Sequence, residues 1–336
     1  MCKWPACGVC AALIVAIACA GCGKTARQTP LEGPARTDAA RAPGSFPPLS
    51  VDTALYPHLG PAVRHIGETA GGGVVLAAGM EEWRVAQAAI SRAEYASGLR
   101  RLVAGLSCQV QVTPNYAFLY PNGYDALAAL SIQESIDARY RDMTASYAIG
   151  AGTGLYDAFA LLGAALDTAI VADNLLDEAW CGELAITDAP VSAIVEAVLK
   201  SALVPAGSVA VESTNSYILV RSVENRNRGD ACVNREGLSG DQRQMLRQVV
   251  NVRLPRVDAG TAFGIAMRPL SACLPLLSEQ LGVPVTADAD AGRLPVNAAV
   301  MHGVTRETAL NLIVWQWPVP NFGYRVTGEG IHFIRR

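Results

Sequence analysis

The sequence predicts an α+β fold made of three tandem small βαββαβ units, each a short sheet covered by two helices. Three observations carry this. Leu161 to Asp173, LLGAALDTAIVAD, lies over Leu276 to Asp288, LLSEQLGVPVTAD, with matches at Leu-Leu, at the next Leu and at the closing Ala-Asp, and self-similarity of this kind marks a repeat architecture. Downstream of each come, in the same order, a short apolar alternation (GELAIT and RLPVNAAV), a helical stretch (VSAIVEAVLKSA and TRETALNLIVWQ) and a strand hairpin (SVAVESTNSYILVRS and FGYRVTGEGIHFIRR). A more degenerate copy precedes them: AVRHIGETAGGGVVLAAG supplies helix and strand, VAQAAIS a second strand, AEYASGLRRLVAGL a second helix and CQVQVTPNYAFLYP the closing hairpin.

The N-terminus comes first in chain order. MCKWPACGVCAALIVAIACAGCGK carries Lys3, an apolar run from Val9 to Ala20 and then Gly21 before Cys22. A run of this length falls short of the roughly 20 residues that span a bilayer, so a cleaved export signal, residues 1–21, is expected. The stretch before Cys22 resembles the lipobox of bacterial lipoproteins, which implies a diacylglycerol-bearing Cys22 as the first mature residue. Cys19, preceded by Ala18, is an alternative acceptor, and an ordinary secretory signal is the plainer reading. By the sorting rule of that class, Gly23 implies the outer membrane. Residues 22–49 form the anchor and a disordered tether, rich in Pro, Ala, Gly and Arg and nearly free of large apolar residues. Removing the signal takes Lys3 and no acid from a chain of 27 basic and 30 acidic residues, moving the formal charge from −3 to −4. No basic stripe emerges, which argues against nucleic acid as a partner.

The periodicities of the body agree with the repeat. Leu155, Phe159, Leu162 and Leu166 recur at helical spacing, as do Ile194 with Val198 and Val195 with Leu199, so each helix has one apolar face. SVAVEST and GYRVTG alternate at period two, as half-buried strands do. The turns STNS and TGEG hold the Asn and Gly that tight hairpins favour. The expected units are 50–121, 145–223 and 250–336, separated by linkers 122–144 and 224–249, the second with a short helix.

The second copy resembles the secretin and TonB N-terminus short domain. The family opening, F-x-I-x-A-G-x-L-x-x-A-L-x-x-L-x-x-x-x-G-x-x-V, is met by Tyr147, Ile149 and Ala151-Gly152 and, with one residue inserted after the glycine, by Leu155, Ala158, Leu162 and Ile170. The third copy matches through Leu254, Ala259-Gly260, Leu276 or Leu277, Gly282, Val285 and Ala309-Leu310, and the first keeps Ile66, Glu68, Val74 and Leu99. The resemblance implies periplasmic protein–protein recognition, with a secretin, a TonB-dependent receptor or a regulator as partner. Neither a secretin pore domain nor a receptor plug and barrel follows the third copy, so the expectation is an accessory or stand-alone adaptor with no catalytic centre. Open strand edges give a physical route to a partner, by strand addition. A lipoprotein binding a small molecule or cell-wall component in a pocket between units is the alternative.

Chemistry-bearing motifs are few. Gly150-x-Gly152, a helical stretch and a second apolar run ending on Asp173 imitate a dinucleotide-binding unit. Leu155 stands where a third small residue is needed, Asp173 has a counterpart in Asp288 within a copy that lacks the first glycine and so the fingerprint, and a short turn to GELAIT replaces the second crossover helix; no cofactor is expected. His58, His65, His302 and His332 make no metal-ligand spacing with each other or with cysteine, and neither G-x-S-x-G nor H-E-x-x-H occurs. Asp177 with Glu178 and Glu81 with Glu82 read as solvated loop charge. Trp315 and Trp317 read as core, or as an exposed aromatic anchor for a partner. Of the four cysteines in the body, Cys181 and Cys232 lie in polar stretches and are expected to be accessible and bridged in an oxidising compartment, closing a loop of about 50 residues for roughly 4 kcal/mol. Cys108 and Cys273, in apolar contexts that read as helical, are expected to be buried thiols.

Overall fold

The computed structural model describes residues 46–86, 89–176, 179–225, 227, 229–254 and 268–336. The expected signal segment, Cys19, Cys22, the expected tether up to residue 45, Asp177, Glu178, Ala259 and Gly260 lie outside the described residues. The architecture is α+β, with several small sheets.

The first stretch runs β1 (Leu49–Asp52), α1 (Leu59–Ala70), β2 (Val74–Leu76), β3 (Ala89–Ala93), α2 (Tyr95–Leu102), β4 (Cys108–Val112) and β5 (Ala117–Pro121). Two short helices, α3 (Asp125–Ala128) and α4 (Ala138–Asp142), lead to β6 (Thr144–Ile149), β7 (Thr153–Gly154), α5 (Leu155–Leu166), β8 (Ala169–Ala172), β9 (Trp180–Cys181), β10 (Leu184–Pro190), α6 (Val191–Ser201), β11 (Val209–Thr214) and β12 (Tyr217–Ser222). After α7 (Gly240–Arg247) come β13 (Val249–Leu254), β14 (Arg268–Pro269), α8 (Leu270–Leu281), β15 (Val285–Ala287), α9 (Ala289–Gly292), β16 (Pro295–Val296), β17 (Ala299–Thr305), α10 (Arg306–Trp315), β18 (Phe322–Val326) and β19 (Ile331–Arg335).

One pairing pattern recurs in all three stretches. The pairs β1–β3, β6–β10 and β13–β17 are antiparallel, β2–β5, β8–β12 and β15–β19 are parallel, and β4–β5, β11–β12 and β18–β19 are antiparallel hairpins. Each of β3, β10 and β17 carries one extra residue against its partner, with Arg92, Asp188 and Gly303 in the left-handed region at φ 47°, 51° and 64°. Such a bulge bends a strand, here just before the helices that start at Tyr95, Val191 and Arg306. The first helix of each stretch ends alike, on Gly71, Asp167 and Gly282, all left-handed, the conformation that closes a helix C-terminus.

The strands of one stretch do not make one short sheet, as the sequence suggests. They divide into a two-stranded ladder and a three-stranded one, and the second and third stretches add a minor ladder of two-residue strands, β7–β9 and β14–β16. Between the first two stretches the parts merge: β10 also pairs antiparallel with β2, Leu184 opposite Val75 and Ala185 opposite Val74, giving a five-stranded sheet in the order β4-β5-β2-β10-β6.

Two apolar cores result. Strand β8 lies between them and divides its residues by alternation: Ile170 and Ala172 enter the first core, Ala169 and Val171 the second. Both faces of this short apolar run are therefore buried, which a strand without alternation allows. The connecting stretches are packed as well. Leu127, Leu130, Ile132, Ile136 and Tyr140 are buried against the first core, and Ala231, Cys232, Leu238 and Leu246 against the second.

Cysteine placement corrects the expected bridge. Cys181 pairs opposite Thr153 in the β7–β9 ladder, fully buried in the first core, while Cys232 sits beside Tyr324 in the second. The polar flanking sequences predict accessible, bridged sulfurs, whereas both side chains are buried and all four body thiols are free. Cys108 lies on a strand and is half-exposed, and Cys273 is buried in α8. Burial pushes the Cys181 thiol up to about 12 and Cys108 up to about 11.

Candidate functional site

Helix α6 is apolar on nearly every side, buried from Val191 to Ser201, yet carries Glu196 and Lys200. Spaced one turn apart, they meet at 3.4 Å and are 4% and 2% exposed, so each charge must be compensated within the protein. Glu196 accepts from the Tyr116 hydroxyl at 2.7 Å, the Ile132 N–H at 3.1 Å and the Gln133 amide at 3.3 Å. Lys200 donates to Gln111 Oε1 and to the Ala128 carbonyl, over the rings of Tyr116 and Phe118. Burial lowers the Lys200 pKa and, with Glu196 beside it, raises that of Tyr116. The cluster is closed by residues 128–133, and its chemical capacity is to clamp that segment to the sheet.

Asp173, the carboxylate of the imitated dinucleotide unit, is a second buried hub. It accepts from the Leu175 and Ser222 N–H groups at 3.1 and 2.8 Å and from the Asn225 amide at 2.9 Å, while its carbonyl receives the Tyr156 hydroxyl. Burial raises its pKa against these bonds. Asn225 continues to the Trp315 carbonyl, Asn227 to Val314 and Trp317, Asn297 to Ala172, and Asn174 to Pro295. This asparagine seam joins the second and third stretches. Gly150 and Gly152 make the tight turn before β7, Gly152 at φ 79° with the Thr153 N–H on the Gly150 carbonyl.

At the first junction Arg64 holds buried Glu183 through two bonds of 2.6 and 2.7 Å, and Glu183 also accepts the Ala151 N–H. The Leu76 N–H donates to the carbonyl of Glu183, the residue just before the incoming strand β10. The chain thus adds a strand to an exposed edge within its own fold. Beyond β10, β6 is the rim of the sheet. It is six residues long, uncharged, with Tyr147 and Ile149 buried and Thr144, Ser146 and Ala148 exposed, and it has no strand on its outer side among the described residues.

The remaining candidates are dispersed. His58 bridges Arg84, His65 stacks on Tyr56, His302 lies 3.9 Å from Asp167, and His332 bonds Thr286 at 2.8 Å. No group of three or more His, Cys, Asp or Glu able to hold a metal occurs among the described residues. Glu81 accepts the Gly79 N–H in a turn. Trp317 is wholly buried with its indole N–H on the Pro295 carbonyl; Trp315 donates to the Gly229 carbonyl beneath the Arg221 guanidinium. Trp317 is thus core, whereas Trp315 is half-buried. A groove of about 410 Å³ lies between Met245 and Gln242 of α7 and the Thr327–Gly330 turn, within the third stretch and its lead-in. No described helix is long and apolar enough to cross a membrane.

Neither Glu196 with Lys200 nor Arg64 with Glu183 is among the residues to which the sequence motifs point. The i,i+4 charge pair inside an otherwise apolar helix was the available signal for the first; the second pair is separated by 119 residues and leaves none. No family model, no curated protein and no solved structure matches this chain.

Proposed function

We propose that this protein is a lipid-anchored, periplasm-facing adaptor of the outer membrane, built from three tandem units of the secretin and TonB short N-terminal type. It binds a protein partner, carries no catalytic centre and uses no cofactor. The observation that carries this reading is the strand addition of β10 onto β2, beside a long uncharged rim at β6 that offers a partner the same backbone groups. The threefold pairing pattern supports the tandem units, and the segment around Cys22 supports the anchor. The partner class is a secretin, a TonB-dependent receptor or a regulator of one.

A photo-crosslinking residue at position 148, introduced in intact cells, tests the reading. It is expected to capture one envelope protein, while the same residue at Thr69 captures none. Equal capture at both positions, or at neither, overturns the docking role of β6. Replacing Cys22 with Ser is expected to release the protein from the membrane fraction; retention after a high-salt wash, with release instead by Cys19→Ser, moves the anchor to Cys19.

A further inference from the structure

Helices α1, α5 and α8 are each twelve residues long and begin on leucine. Their ninth residues are Gly67, Gly163 and Ser278, and their eleventh are Thr69, Ala165 and Gln280. In α1 the missing side chain admits the added strand, because a Cβ on Gly67 would lie 2.3 Å from the Ala185 Cβ of β10. In α5 a Cβ on Gly163 would lie 2.6 Å from the Thr168 carbonyl oxygen, so that position admits no side chain either.

In α8 both positions carry polar side chains, and both turn onto strand edges. Ser278 Oγ donates to the Leu274 carbonyl at 2.9 Å and accepts the Val285 N–H at 2.9 Å. That N–H lies on the outer edge of β15, since the bonds to β19 are made by the Pro284 carbonyl and the Asp288 N–H on alternate residues. Gln280 Oε1 accepts the Arg253 N–H at 2.8 Å, and its Nε2 donates to the Arg253 carbonyl at 3.3 Å. One side-chain amide thereby meets both backbone groups of a residue on β13, as the peptide unit of an added strand would. On β6 the residue at the same register is Ala148, opposite Ala185 as Arg253 is opposite Val300, and Ala165 in the matching helix has no amide to offer it.

We propose that α8 is an edge guard: Ser278 and Gln280 occupy the outer backbone groups of β15 and β13, so that among the described residues the third stretch takes no added strand although β2, the counterpart of β15 in the first, takes one. Unpaired strand edges are templates for association, and natural sheets blunt them with local devices; here two side chains of one helix serve two strands. The inference stands on the pairing geometry and does not depend on the adaptor reading.

The test uses the full chain in detergent, comparing wild type with the double variant Ser278→Gly, Gln280→Ala. Amide hydrogen exchange at Val285 and Arg253 is expected to accelerate at least about tenfold, equivalent to about 1.4 kcal/mol of lost protection, and the variant is expected to self-associate with rising concentration in sedimentation velocity while wild type does not. Unchanged exchange at both amides, or faster exchange without association, overturns the guard role. Should the double variant fail to fold, Gln280→Ala alone carries the same two readouts at Arg253, and Ser278→Thr, which keeps the hydroxyl, is expected to behave as wild type.

Discussion

Glu196 is held by three hydrogen bonds and an ammonium group, so removing its charge leaves Lys200 buried without a counter-ion. Glu196→Gln is expected to destabilise the fold by about 3 to 5 kcal/mol, read as a lowered midpoint in urea unfolding. Asp173 differs, because burial raises its pKa and the folded state keeps the proton where the unfolded chain has released it. Its contribution is therefore full below the ordinary carboxylate range and lost as pH rises through the raised value. Stability is expected to fall across that window, and Asp173→Asn to flatten the slope, measured by urea unfolding at a series of pH values from about 4 upward. The cysteines make a third residue-scale prediction. With Cys181 and Cys232 in different cores, a non-reduced digest is expected to give both as free thiols, with Cys181 unreactive toward a thiol reagent until the chain unfolds.

At the scale of elements, the end of α5 is less well made than those of α1 and α8. All three place a left-handed residue after the last turn, but α5 uses Asp167 at φ 48° where the others use glycine. A side chain there costs energy that glycine avoids. Asp167→Gly is expected to stabilise the protein by about 0.5 to 1 kcal/mol, and Asp167→Val, β-branched at the same position, to lower the thermal midpoint. Loss of the exposed contact to His302, 3.9 Å away, is expected to matter little, since such pairs are worth about 0 to 1 kcal/mol.

Across the whole molecule the first two stretches are joined by backbone pairing, an Arg64–Glu183 ion pair and the close approach of Gly67 to Ala185. Gly67→Val puts a branched side chain where even a Cβ would lie 2.3 Å from Ala185. It is expected to cost about 3 kcal/mol by overpacking and to raise proteolytic cleavage near residues 182–185, while leaving the pairing of β13 with β17 unchanged by hydrogen exchange. The second junction is made differently, by asparagines reaching backbone carbonyls. Asn297→Ala is expected to loosen this junction alone, by about 1 to 3 kcal/mol for the polar groups it leaves unpaired.

Local signals in the sequence determined the α+β class, the longer helices and the closing hairpins: periodicity places Leu155, Phe159 and Leu162 on one helix face, and alternation sets SVAVEST as a strand, whereas α3, α4 and the two-residue strands β7, β9, β14 and β16 are too short to leave a period. These are short-range properties of the backbone and of side-chain spacing. Tertiary structure alone decided which strands join across the repeat. Nothing near Val75 announces Leu184 as its partner, because ladders between distant strands depend on long-range packing and leave no periodic trace. The same reason hid the cysteine environments: DEAWCGE and RNRGDACVNREG are polar in composition, yet strand pairing at Cys181 and the neighbouring Tyr324 strand at Cys232 draw both sulfurs into cores. Charge pairs follow this rule by distance, with Glu196 and Lys200 legible four residues apart on one helix and Arg64 and Glu183 brought together only by the fold.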